Sequence, residues 1–175
     1  CFLEPHGDGI DELLELVPPE RAEDVILFDP SDKEMPIGFN LLEVRNIEGM
    51  YFVASAIINL MYKLYDPHKT GIVGPRFEHA IRNAMLTVAV EPGATLVEVN
   101  RALTDEKYVQ ELLPKVTDPI VRRYWTDQIA KTQEFHKSET LDYISSKFGR
   151  FVTNKLIRNI IGQSKSTLDF RKAMD

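Results

Sequence analysis

The sequence predicts a mainly α protein: a bundle of about six to eight helices behind a small N-terminal α/β stub of two short strands. Three observations lead there. The short, apolar, β-prone runs "CFL" at 1–3 and "VILF" at 25–28 both lie within the first 43 residues. From Ile47 onward apolar residues recur at helical spacing, and no convincing strand appears. Caps, prolines and glycines divide that long stretch into helix-sized pieces.

In chain order, "CFL" is the first expected strand, and "EPHGD" the turn after it. "DGIDELLELV" follows as a helix, with Ile10, Leu13, Leu14 and Val17 on one face. Asp8 and Asp11 in its first turn suit the positive end of the helix dipole. Pro18 and Pro19 end it, and "VILF" is the second strand. "FDPSDKEMPIGFN" reads as turn-rich and irregular. Residues 1–43 thus form a strand-helix-strand unit, and 44–175 an all-α domain.

In the second part, helices are expected near 48–65, 75–91, 95–103, 105–113, 118–133, 138–152 and 154–161, with a last one near 166–173. Asp66-Pro67 stops the first, and Pro75 suits the opening position of the second. Pro92-Gly93 breaks the chain again. Thr104-Asp105-Glu106 and Asp118-Pro119 are cap signals, and Gly162 is a stop. The apolar window "MYFVASAIINLMYKLY" is 16 residues long and holds Asn59 and Lys63, so it reads as a buried core helix rather than a membrane span.

The chain has 175 residues, enough for one domain with a substantial core. Its net charge of −6 hides an asymmetry. Residues 1–43 carry 12 acids and 2 bases, whereas 144–175 carry 7 bases and 2 acids. The single cysteine, Cys1, allows no internal disulfide or thiolate metal site and points to a reducing compartment. His6, His68, His79 and His136 are scattered, with no close second ligand, so no metal site is expected. No serine has triad partners that can be placed, so nucleophilic catalysis has no support. Glu78 and Arg82 stand at the spacing of a helix-stabilising ion pair. Trp125, Tyr124, Val121, Phe148 and Phe151 read as core.

Taken alone, "EPHGD" is a sharp turn with Asp8 beside a helix start, where nucleotide enzymes often place metal or water ligands. No GxxxxGK[ST] occurs, so the phosphate cradle that binds ATP is missing. Read together, the segments change the picture. Pro5-His6-Gly7-Asp8, Pro19, Arg21, Asp24-Val25, Phe28-Asp29-Pro30-Ser31-Asp32 and Pro36-Ile37-Gly38-Phe39-Asn40-Leu41 form one specific string. It resembles the HerA/FtsK-like motor ATPases, and among them the type IV secretion coupling proteins. "GPRFEHAIRNAMLTV", "LTDEKYVQELLPKVTDPIVRRYW" and "IIGQSKSTLDFRKAMD" are similar to the same family, so the resemblance covers essentially the whole chain. Glu4 departs from it, standing where the family usually has aspartate.

The resemblance implies the all-α domain of a coupling-type ATPase, carrying a piece of the motor domain in 1–43. Both ends then read as cuts within a larger protein. Glu4, His6, Gly7 and Asp8 would form the rim of a nucleotide site in the parent only. No cofactor is expected in this chain; ATP and Mg belong to the full-length parent, a DNA translocase. The parent would be a hexamer at the cytoplasmic face of the cell membrane, and the fragment a cytoplasmic monomer without ATPase activity. DNA, a relaxase-type protein substrate, or both would be its partners.

The basic residues are the candidates for that binding: Arg122, Arg123, Lys147, Arg150, Lys155, Arg158 and Lys165. Lys147, Arg150 and Arg158 fall near one side of a helical wheel if the helix runs on past Gly149 and Asn154. On a phosphate backbone they would supply a salt-dependent, sequence-independent affinity. The plainer alternative is a solvated helix face. Two rival functions stay open: a protein-interaction module without DNA contact, and part of a chromosomal HerA-like helicase.

Overall fold

The structure, a computed structural model, describes residues 2–4, 7–131 and 134–169, with side chains omitted for 134–140. Its elements are almost all helical. α1 spans Asp8–Glu15, α2 Ile47–Tyr65, α3 Pro75–Val88, α4 Leu96–Thr104 and α5 Glu106–Leu112. α6 (Pro119–Arg123) runs into a single wide turn of π type, Tyr124–Ile129; then come α7 (Glu134–Thr153) and α8 (Lys155–Ile161).

Neither expected strand forms among the described residues. Residues 2–4 and 25–28 are irregular, and a short 3₁₀ stretch, Pro19–Asp24, lies between α1 and the second of them. The reason is the lack of neighbours. A strand persists only where its N–H and C=O groups find a ladder and its apolar face a cover. Here Leu3 is 93% exposed, and Ile26, Leu27 and Phe28 are exposed as well. The apolar face of α1 is equally uncovered: Leu13 and Leu14 are both exposed. No described residue before Gly38 is buried.

The core belongs to α2–α5, α7 and α8. α4 packs most extensively on α7 and α3, and α2 lies along α3. Several helix starts are capped by side chains of their own sequence. Asn46 accepts from the Gly49 N–H at 2.9 Å, and Asp105 from the Tyr108 N–H at 3.1 Å. Thr95 and Glu98 form a reciprocal capping box at the start of α4. The buried faces follow: Met50, Ala54, Ile57, Ile58 and Met61 on α2, and Phe77, Ile81, Ala84, Met85 and Val88 on α3. Tyr124, Trp125, Val121 and Phe148 are buried as expected, and Phe151 is partly so. Among the described residues no helix is long and apolar enough to cross a membrane.

Three helix expectations need correcting. The expected helix at 118–133 changes character at Tyr124, where the Ala130 N–H bonds five residues back to the Trp125 carbonyl at 3.1 Å. Tyr124 and Trp125 are adjacent and bulky, yet both are buried. The wider turn brings both rings inward, where a regular helix would set them about 100° apart. The expected Glu78–Arg82 pair is not seen. Glu78 instead accepts the Tyr62 hydroxyl at 2.6 Å, and Arg82 donates to the Ser55 hydroxyl at 3.3 Å. Both reach across to α2. Residues 166–169 are not helical, and the rest of the expected final helix lies outside the described residues.

Candidate nucleic-acid and partner interface

Two arrangements stand out. The first joins the arm that leads into the bundle, residues 36–43, to the arm that leads out of it, residues 163–167. The Phe39 N–H donates to the Ile160 carbonyl at 2.9 Å. The Gly38 N–H donates to the Thr167 hydroxyl, and the Thr167 N–H returns to the Gly38 carbonyl, both at 2.9 Å. Asn40 is the centre of this clasp, at 4% exposure. Its N–H donates to the Ser166 hydroxyl at 3.0 Å, and its Nδ2 to the carbonyls of Ala94 and Ser164 at 3.1 and 3.0 Å. Its Oδ1 accepts from the Leu42 N–H at 2.9 Å. Gln163 Nε2 donates to the Pro36 carbonyl at 3.0 Å, and Glu43 accepts the Ser166 N–H at 2.7 Å. That bond from Ser166 holds the Glu43 carboxyl below its ordinary range. A Cβ on Gly38 would sit 2.9 Å from the Lys165 carbonyl oxygen and 2.5 Å from Gln163 Oε1, so the arms approach this closely only around a glycine.

The second arrangement lies at the end of α2. Asp66, 1% exposed, ends the helix and organises the loop to α3. Its carboxylate accepts from the N–H and hydroxyl of Thr70 at 2.6 and 2.8 Å, and from the N–H groups of Gly71 and Val73 at 3.0 and 3.1 Å. Burial pushes its pKa up, but these bonds outweigh it and hold the group at about 2. The loop is thereby fixed against α7, where the Tyr143 hydroxyl donates to the Ile72 carbonyl and the Tyr65 hydroxyl to the Lys147 carbonyl at 2.9 Å. Three cations sit over three tyrosine rings here: Lys69 over Tyr62 at 5.7 Å, Arg150 over Tyr65 at 5.6 Å, and Lys147 over Tyr143 at 3.1 Å.

The structure sorts the basic candidates. Lys147 is 8% exposed, and its Nζ donates to the Tyr143 carbonyl at 3.3 Å. It is withdrawn from the surface, which corrects its place among the phosphate-contacting candidates. Ile144 and Phe148, both in the core, draw its helix face inward, and its ammonium is held on Tyr143 instead of in solvent. α7 does not run on: Asn154 starts α8 by accepting the N–H groups of Leu156 and Ile157 at 3.0 and 3.2 Å. Arg150, Lys155 and Arg158 are exposed around the resulting corner, and Arg158 donates to the Val152 carbonyl at 3.1 Å. Arg122 and Arg123 lie elsewhere, on α6, which packs on α3. Arg122 donates to the Pro114 carbonyl at 3.2 Å, and Arg123 pairs with Asp127 at 3.3 Å. Lys165 is exposed on the outgoing arm beside a groove of about 580 Å³.

At the N-terminus, Gly7 adopts φ 96° and donates its N–H to the Glu4 carboxylate. Asp8 opens α1, and His6 lies outside the described residues. The described side chains of this turn are the carboxylates of Glu4 and Asp8, and no ATP chemistry is derived from it. Among the described residues no three His, Cys, Asp or Glu side chains converge as a metal site.

Sequence reasoning missed the clasp. The signal for it was the run of small polar residues in "GQSKST", matched by Asn40 in "PIGFN", all of which read as turn or helix instead. Compared with protein-family models, with curated proteins and with solved structures, the chain matches none.

Proposed function

We propose that this chain is the DNA- and substrate-binding all-α domain of an ATP-driven DNA-transfer motor of the type IV secretion coupling class, with motor-domain residues ahead of it. The clasp carries the reading. The two segments it joins, "PIGFN" and "IGQSKST", lie within stretches that resemble the coupling proteins. Their pairing sets the incoming and outgoing chains side by side, as a helical domain inserted into another domain requires. The expected 43/44 boundary falls within or next to this arm, so residues 36–43 belong with the helices. The exposed apolar groups of residues 2–35 suit a segment whose cover is the rest of a motor sheet.

Arg150, Lys155 and Arg158 form the nucleic-acid contact in this reading. They are exposed and sequence-close, and Tyr65 braces the first of them. The domain has no catalytic step of its own. A second reading, docking of a relaxase-type protein without DNA contact, draws on Phe52, Leu60 and Leu64, all exposed on α2. Titration of fluorescein-labelled single- and double-stranded DNA at roughly 25–200 mM salt separates the two, since phosphate contacts are strongest at low ionic strength. Absence of binding at the lowest salt, together with capture of a cognate relaxase, would replace the first reading with the second.

A further inference from the structure

α2 is covered on one side. Met50, Ala54, Ile57, Ile58 and Met61 turn into the core, and the Tyr65 hydroxyl reaches α7. On the opposite side Phe52, Ala56, Leu60 and Leu64 follow one another at four-residue spacing, with Asn59 at their border. All four are exposed, Phe52 to 75%. A surface helix turns polar groups outward as a rule; this one carries three large apolar side chains along its outer face.

The stripe is nearly symmetric about Ala56. Phe52 and Leu60 lie one helical step to either side of it, and beyond them stand Glu48 at one end and Lys63 at the other. Set antiparallel on a second copy of itself, with the two-fold axis at Ala56, the helix brings each Phe52 level with Leu60 of the other copy. The small Ala56 at the crossing point lets the two backbones approach closely. At about 100° per residue Glu48 and Lys63 fall on the same flank of the stripe, so Glu48 of each copy comes level with Lys63 of the other. Glu48 and Lys63 are exposed, and among the described residues neither forms an ion pair within the chain. A parallel pair would set Glu48 against Glu48 and Lys63 against Lys63, so charge selects the antiparallel arrangement.

We infer that the outer face of α2 is a self-association surface, on which two copies of the chain pair antiparallel through Phe52, Ala56, Leu60 and Leu64. One helix pair is a small interface, so the dimer is weak and reversible. It does not depend on the α7–α8 corner binding DNA.

Sedimentation equilibrium of the whole chain at roughly 5–500 μM should show a monomer–dimer equilibrium. Leu60→Glu puts a charge from each copy into the apolar seam and should weaken association about tenfold or more. Glu48→Lys and Lys63→Glu each set like charges together at both ends, and either alone should weaken it roughly three- to tenfold at low salt. An equimolar mixture of those two variants restores opposite charges at both ends of the mixed dimer. The mixture should therefore associate at least as tightly as the wild type, which a general surface effect would not produce. Far-UV circular dichroism checks that each variant keeps its helix content. A chain still monomeric at the highest concentration would leave the face to a partner of another kind and overturn the inference. So would a dimer unmoved by Leu60→Glu, which would place the contact elsewhere, or a mixture that associates no better than its components.

Discussion

Replacing Asn40 by alanine removes the centre of the clasp while adding no bulk. Three side-chain hydrogen bonds go: two donated to the carbonyls of Ala94 and Ser164, one accepted from the Leu42 N–H. Each is worth about 1 kcal/mol net, so the expected loss is about 3 kcal/mol. The Leu42 N–H is buried and would be left without this acceptor, which sets the loss toward the upper side of that range. For a chain of this size such a loss lowers the melting temperature by roughly 10 °C. Urea unfolding followed by circular dichroism and by Trp125 fluorescence measures it. Hydrogen exchange locates it: the amides of Gly38, Phe39, Asn40 and Thr167 should lose protection first, because all four bond across the clasp. Asn40→Asp should be at least as damaging, since it sets a carboxylate against two carbonyl oxygens. A loss under about 1 kcal/mol, with those amides still protected, would refute the idea that the arms are held by these bonds.

Gly38→Ala should destabilise by about 1–3 kcal/mol, because its Cβ meets the backbone at Lys165, which cannot simply rotate away; thermal melts check this. Asp66→Asn should lower the urea midpoint at neutral pH and flatten its dependence on acid. The sign follows from the carboxyl's fall from 3.8 to about 2 on folding. Its contribution is complete above pH 4 and disappears as pH drops through 2, so the wild type should lose stability over that window more steeply than the variant. Parallel curves would show that the loop is not held by the ionised group.

The helices were legible because their signals are local. Asp66-Pro67, Pro75, Asp105, Asp118-Pro119 and Gly162 mark ends that the structure places within a few residues of expectation. What escaped depends on partners distant in sequence. Lys147 is buried because Ile144 and Phe148 on its helix pack into a core built from distant elements, and Tyr65, 82 positions away, bonds its carbonyl. The clasp pairs residues separated by more than 120 positions, and nothing within "PIGFN" names "GQSKST" as its partner. The strands failed for the opposite reason: residues 25–28 have strand-forming composition, but no neighbour supplies a ladder. Among the basic residues, type and helix position alone could not separate the surface-exposed Arg150 from Lys147 three residues before it.

Whether the α7–α8 corner meets a phosphate backbone is read most directly from the salt dependence of DNA affinity. For Arg150→Glu, Lys155→Glu and Arg158→Glu together, the slope of log affinity against log salt should become shallower by about three on duplex DNA, roughly 0.9 for each phosphate no longer neutralised. Affinity should fall alike for unrelated sequences. An unchanged slope in a variant that keeps its helix content would place the DNA on another face and contradict the assignment of this corner.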